Sequence, residues 1–243
     1  MGSKYNVFIP SVKWLHSQNK TDGEIAECVG IDHRRVADIR KKIGLPGNHS
    51  SEKPITLTDI QKQLLIGGII GDMCIFKDKA AKYHRMNLAH SIKQKSYLLF
   101  KANLLGALFS EPYERKWIDQ RTKNEYREIR IQSITHRLFT DLYNKWYKNG
   151  RKIMHDDVWS LDDLGLAITY FDDGFISSRG YEISLQDYAT DDIYKFADVL
   201  REKFGLSCTV PGLTQSVYIK AESAERFREI LRPFLTKDTE YKL

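Results

Sequence analysis

The chain alternates short apolar runs with polar ones, and two of the apolar runs share one layout. In the first, Thr58-Asp59-Ile60-Gln61 offers a capping box, and Leu64, Leu65, Ile66, Ile69 and Ile70 then fill a helix that ends at Asp72. In the second, Ser160 to Asp163 supplies the cap, Leu164, Leu166, Ile168, Tyr170 and Phe171 fill the helix, and Asp172 and Asp173 close it before Gly174. An acid at the carboxyl end of a helix opposes the backbone dipole, at a cost of about 0.3–1 kcal/mol, so a compensating cation is expected there. A divalent ion held by carboxylate and carbonyl oxygen would serve. The alternative is that Asp72 and Asp173 only turn the chain out of its helix.

The elements after each acid repeat as well. A strand over 82–88 and a helix over 94–109 come after Asp72; a strand over 181–185 and a helix over 191–204 come after Asp173. A strand over 129–133 then leads to Phe139 and one over 217–221 to Phe227, with one spacing from Ile131 and from Ile219 that sets Lys220 against Gln132. Each half closes on a lysine before an aliphatic residue, Lys152-Ile153 and Lys242-Leu243. A duplicated unit of helix, strands, helix, strands and helix is the economical reading. Gly67 and Gly71 lie one turn apart and clear one face of the first helix for another backbone, whereas the second helix carries Ile168 and Asp172 at those places.

Ahead of the repeat, the stretch from Pro46 to Pro54 has no periodicity and reads as a linker. The boundary is set there: a domain over 1–54, then a core over 55–243 with halves of about 55–154 and 155–243. Two short helices are expected in the front piece, over 24–31 and 33–43, joined at Gly30 and started by Asp32. Val36 and Ile39 point inward, and His33, Arg34, Arg35, Arg40, Lys41 and Lys42 make a basic face. Such a face either contacts DNA or is merely solvated.

Charge then matters by its placement. Lys and Arg exceed Asp and Glu by 38 to 32, and residues 1–54 hold nine of the basic and six of the acidic residues, so each part keeps +3 and the front piece is the more basic per residue. An excess of this sign favours polyanions through counterion release. Cys28, Cys74 and Cys208 are too dispersed for a disulfide scaffold or a structural zinc site. The chain has neither an apolar run near the roughly 20 residues of a membrane span nor a basic-then-apolar start, so a soluble intracellular protein with no membrane partner is expected.

The runs Leu65-Ile66-Gly67-Gly68-Ile69-Ile70-Gly71-Asp72-Met73 and Leu166-Ala167-Ile168-Thr169-Tyr170-Phe171-Asp172-Asp173-Gly174 resemble the two LAGLIDADG motifs of single-chain homing endonucleases. The front helices resemble the helix-turn-helix of repressors and resolvases in Ile25-Ala26, Gly30-Ile31 and Val36, with Asp32 where Ser or Thr is commoner. The resemblance implies an α+β monomer: two pseudo-symmetric αββαββα halves with motif helices side by side and saddle-shaped antiparallel sheets over DNA, preceded by a small all-α domain. It implies site-specific hydrolysis of both strands of double-stranded DNA with short 3′ overhangs, using Mg²⁺, for which Mn²⁺ can substitute. Asp72 and Asp173, each eighth in its motif, would hold the metal, with the carbonyl of Gly71 or Asp172 beside them and the Asp172 carboxylate in reserve. Lys152 and Lys242 would polarise the attacking water or stabilise charge on the phosphate.

Strand side chains would read bases or hold phosphates in the major groove. The candidates are Arg85, Asn87, Arg130, Gln132, Glu182, Ser184, Gln186 and Lys220, and a shift of one residue in register would turn them to the wrong face. A cleavage-inactive transcription regulator, an intron RNA maturase and a basic structural protein are the alternatives. The compartment would be the cytoplasm of a prokaryotic or phage-infected cell, or an organelle.

Overall fold

A helix absent from the sequence expectation precedes the two expected ones: α1 (Ile9–Ser17), with Pro10 in its first turn. The computed structural model describes residues 6–48, 50–212 and 214–243; residues 1–5 of the amino-terminal stretch and residue 49 of the expected linker lie outside the described residues. After α1 come α2 (Asp22–Val29) and α3 (His33–Lys42). Thr21 and Glu24 form a capping box on α2, and Gly30 ends it at φ 70°, the left-handed conformation that glycine adopts without steric cost. The Asp32 carboxylate accepts from the Arg34 N–H at 2.8 Å and starts α3. Val12, Leu15, Ile25, Ala26, Val36 and Ile39 form one apolar core.

His33, Arg34, Arg35, Lys41 and Lys42 are exposed, but Arg40 is not part of that face. It is 8% exposed; its Nε donates to Asp22 at 2.8 Å and its Nη1 to the Leu45 carbonyl at 2.9 Å. Arg40 stands four residues after Val36, so helical geometry turns it toward the same inward side, and it clamps α3 to the start of α2. The expectation that Arg40 contacts DNA is corrected accordingly.

The first compact unit ends at Ile55, and the second runs from Thr56 to Leu243. In the second, helix α4 (Asp59–Ile70) leads to β1 (Cys74–Phe76), β2 (Arg85–Ser91), α5 (Lys95–Leu105), β3 (Tyr113–Ile118), β4 (Glu125–Gln132) and α6 (Arg137–Trp146). A short hairpin, β5 (Tyr147–Lys148) and β6 (Arg151–Lys152), closes this half. The second half repeats the order: α7 (Asp163–Asp173), β7 (Gly174–Ser177), β8 (Gly180–Ser184), α8 (Thr190–Phe204), β9 (Cys208–Thr209), β10 (Ser216–Ile219) and α9 (Ala224–Leu231). Each half builds an antiparallel sheet of the same topology, β1-β2-β4-β3 and β7-β8-β10-β9. The fold is the expected α+β duplication. Among the described residues no helix is long and apolar enough to cross a membrane.

Alternation decides which strand residues face out. Met86, Leu88, Ile129, Ile131, Ile183, Val217 and Ile219 are buried, so Arg85, Asn87, Arg130, Gln132, Glu182 and Ser184 occupy the outer faces. The ladder also corrects one pairing of the repeat. Asn87 faces Gln132 and Glu182 faces Tyr218, while Asn87 and Glu182 each pair with the residue two past a motif acid, Cys74 and Phe175. Tyr218, not Lys220, is therefore the counterpart of Gln132. The shared spacing to Phe139 and Phe227 misled because β4 ends at Gln132 whereas β10 runs one residue past Tyr218, and Phe139 is the third residue of α6 whereas Phe227 is the fourth of α9.

Helices α4 and α7 pack along a seam that only small residues permit. A Cβ on Gly67 would lie 2.2 Å from the Gly165 carbonyl oxygen, and one on Gly71 would lie 2.6 Å from the Asp172 Cβ. Gly165, which the motif spacing does not single out, thus supplies the second helix's share of the close approach. Thr169 Oγ1 bridges the seam, donating to the carbonyls of Gly67 at 3.2 Å and Gly165 at 3.0 Å. Gly67→Ala is expected to force the backbones apart and to cost about 1–3 kcal/mol of stability, as overpacking does. Urea unfolding measures this, and an unchanged midpoint would refute the tight seam.

Candidate active site

Both motif acids emerge where the seam ends. Helix α4 stops at Ile70 with Gly71 as its cap, so Asp72 lies just beyond the helix, whereas Asp173 is the last residue of α7. Asp72 keeps 39% of its side chain exposed. Burial, and next the Asp172 carboxylate, raise its pKa. Asp173 is raised to about 7 by burial, then by Asp72 and Asp172. Asp173 therefore feels the charge of Asp72 across the seam.

A lysine stands behind each acid. Lys152 Nζ donates to the Gly71 carbonyl at 2.6 Å, and Lys242 Nζ donates to the carbonyls of Phe171 at 2.7 Å and Asp172 at 3.2 Å. Each lysine thus bonds the carbonyl immediately before its own half's motif acid, and burial lowers the pKa of both. Lys152 is delivered by the β5–β6 hairpin, whose two turn residues, Asn149 at φ 52° and Gly150 at φ 78°, form the left-handed pair that a tight hairpin needs. Lys242 is only 7% exposed, held by Tyr170, whose hydroxyl donates to the Lys242 carbonyl at 2.6 Å. The Gly71 and Asp172 carbonyls, expected to face a metal, each already accept from a lysine and keep a second lone pair.

Asp172 has a different place from the one held in reserve for it. Its side chain is fully buried; Oδ1 accepts from Lys101 Nζ at 2.5 Å and from the Tyr97 hydroxyl at 2.9 Å, and Oδ2 accepts from the Asp72 N–H at 3.2 Å. Burial is the largest influence and pushes its pKa up, but Lys101, His90 and the Tyr97 hydroxyl together outweigh it and the net direction is down. Asp172 is an ionised brace between α5, α7 and the backbone of Asp72, with both carboxylate oxygens already accepting hydrogen bonds. His90 on β2 lies beside it, 5% exposed, its pKa pushed down to about 3 by burial and then by Lys101, and is therefore neutral. Tyr97, Lys101 and His90 were not foreseen. A single lysine within a helix and a histidine in a strand carry no signal until tertiary packing supplies their partner.

The outer faces carry the expected polar side chains in prearranged pairs. Arg85 bonds Asp78 at 2.6 Å and reaches Gln132 at 3.3 Å, Arg130 bonds Glu128 at 2.8 Å, and Asn87 accepts from Gln132 at 3.5 Å. In the second half Ser184 is half-buried on the outer face of β8, while Gln186 and Lys220 fall just past their strands.

Two like halves, each bringing one acid to a shared helical seam and one polar sheet face outward, define a two-motif α+β protein. The model of the LAGLIDADG DNA endonuclease family matches residues 62–227, and the chain belongs to that family. It is 23% identical over 189 residues to the cytochrome b mRNA maturase bI2 of Debaryomyces hansenii, covering 74% of this chain and 72% of that protein. It is 23% identical over 210 residues to the DNA endonuclease I-ChuI of Chlamydomonas applanata, covering 78% and 96%. The fold matches that of the homing endonuclease I-WcaI bound to its DNA recognition sequence, with a TM-score of 0.70 and 23% identity over 84% of this chain and 96% of that one.

Proposed function

We propose that this protein is a homing endonuclease that cuts both strands of one double-stranded DNA site, as a monomer, by metal-dependent phosphodiester hydrolysis that leaves short 3′ overhangs. The observation that carries this reading is the repeated pair at the seam: Asp72 with Lys152 bonded to the preceding carbonyl, and Asp173 with Lys242 bonded likewise. The donor set fits a divalent cation. Asp72 and Asp173 are both raised by burial and neighbouring acids, which a cation would relieve, and hard carboxylate and carbonyl oxygens suit Mg²⁺ or Mn²⁺. Asp72 and Asp173 would hold it, with the Gly71 and Asp172 carbonyls alongside. Bound there, the ion would polarise a phosphoryl oxygen and acidify water near the scissile bond.

The chain's own residues do the rest. Lys152 and Lys242 each use one or two N–H bonds on backbone carbonyls, which aims the ammonium and leaves at least one donor for a phosphate oxygen or the attacking water. One acid per half addresses one strand each. Arg85, Asn87, Arg130, Gln132, Glu182, Ser184 and Tyr218 on the outer faces would read base edges or hold phosphates, with Gln186 and Lys220 at the strand ends. The direct test is selection of cleaved duplexes from a randomised library with Mg²⁺ against EDTA. Recovery of one long site only with the metal is expected, and no metal-dependent cleavage of any duplex would overturn the reading.

The α1–α3 unit would add a second foothold on the same DNA through His33, Arg34, Arg35 and Lys41 at the exposed side of α3. Deleting residues 1–54 is expected to weaken binding and to flatten its dependence on salt, because fewer phosphates are neutralised, while leaving cleavage chemistry intact. Binding measured over a salt series checks this; an unchanged slope would remove the foothold. The maturase of Debaryomyces hansenii is similar to this chain over most of both lengths, which favours intron RNA as a second substrate for the basic surface. Competition between the selected duplex and structured intron RNA separates the two.

A further inference from the structure

The two halves differ in kind at one place beside the acids. Asn87 and Glu182 correspond, since they pair with the residues two past Asp72 and Asp173; three residues further on, His90 of the first half therefore matches Leu185 of the second. Both are buried, at 5% and 2% exposure. Leucine fills this position in one half, so packing alone does not call for a histidine in the other.

The imidazole lies between two carboxylates. Nδ1 is 3.5 Å from Asp72 Oδ2, and Nε2 is 3.8 Å from Asp172 Oδ1. One donor atom from each of Asp72, His90 and Asp172 lies within 4.8 Å of the others. The His90 side chain is 2% exposed, and Nε2 is buried with no hydrogen-bond partner among the described residues although it is aimed at the acid cluster. A buried polar atom in that state calls for an explanation, and an ion held beside the ring is one. Asp172 Oδ1 already accepts from Lys101 and Tyr97, so Asp172 is not itself an open ligand.

We infer that the Asp72 side of the seam is a mixed nitrogen–oxygen site for a first-row transition ion, with His90 Nδ1 and Asp72 as ligands, whereas the Asp173 side offers oxygen only. Donors 3.5 Å apart suit one ion, whose bonds to nitrogen and oxygen are about 2.0–2.2 Å. A small turn of the ring would then bring its Nε2–H onto Asp172, and a metal-bound imidazole commonly has its far N–H held by a carboxylate. Imidazole prefers Co²⁺, Ni²⁺ or Zn²⁺ to Mg²⁺. The two halves would accordingly load with different ions when both kinds are present. This deepens the nuclease reading and rests on it for Asp72 as a cation ligand.

The test titrates the full chain, without DNA, with Co²⁺ and separately with Mg²⁺, by calorimetry and by proton NMR of the Co²⁺ complex. The parent chain is expected to show a paramagnetically shifted, exchangeable imidazole N–H that His90→Leu and Asp72→Asn both abolish. His90→Leu is expected to weaken Co²⁺ binding at one site by about tenfold or more while leaving Mg²⁺ affinity unchanged. Absence of the shifted N–H in the parent overturns the inference even if the leucine variant fails to fold, and equal Co²⁺ affinity in parent and variant overturns it too. Mg²⁺-dependent cleavage is scored separately. Cleavage without the imidazole signal sinks this inference alone; the signal without cleavage supports the site and sinks the nuclease reading.

Discussion

Asp173→Asn is expected to slow double-strand cleavage by about a thousandfold or more, because a cation on the reacting phosphate contributes several kcal/mol and each 1.4 kcal/mol is tenfold. Asp72→Asn is expected to do the same. Single-turnover cleavage of a plasmid carrying the selected site measures both, and a variant that cuts both strands at the parent's rate loses its place in the site. The same substitution should act on stability in the opposite direction when no divalent ion is present. Burial, then Asp72 and Asp172, raise the Asp173 pKa to about 7, so the folded chain holds a proton that the unfolded chain releases from about pH 4. The contribution of this group to stability is full below that lower value and is lost as pH rises through about 7. Asparagine has no charge to bury. Melting in EDTA across this window should therefore show the parent falling behind the variant as pH rises, and parallel curves would contradict the crowding of acids at the seam.

Lys101→Met is expected to cost about 3–5 kcal/mol, the range seen when one partner of a buried ion pair is removed. Lys101 and Asp172 both have fully buried side chains, 2.5 Å apart. Without the ammonium, the carboxylate keeps only the Tyr97 hydroxyl and the Asp72 N–H, which do not neutralise it. The double change Lys101→Met with Asp172→Asn removes both charges and should recover much of the loss, though the Asp72 backbone then rests on an amide oxygen. Urea unfolding of the parent, the single and the double variant gives the coupling. A loss under about 1 kcal/mol for Lys101→Met, the range of exposed pairs, would show that Asp172 is not held by charge. Cleavage by the folded single variant should also fall, since the brace ends on the backbone of Asp72.

The sequence carried more of the fold than of the site's surroundings. Capping residues, apolar periodicity and the order of elements after Asp72 and Asp173 marked the duplication, since each reflects chemistry within a turn or a strand. The spacing to Phe139 and Phe227 gave Gln132 the wrong partner because counting residues cannot detect that β10 runs one residue past Tyr218 or that Phe227 sits one place deeper in α9 than Phe139 does in α6. Arg40 was assigned to an outer face on its charge, although its place one turn after Val36 turns it inward to Asp22. The Asn149-Gly150 pair is a tight-turn signal legible in the chain itself.

Local order alone thus determined two motif helices, their terminal acids, their trailing strands and the paired lysines. Tertiary structure decided what those acids stand beside. Lys101, Tyr97 and His90 are far from Asp172 in sequence, and only the packing of α5 and β2 against α7 gathers them. It also decided which strand faces point outward, because a side chain's direction follows from the register of the ladder, and register is set between strands rather than within one.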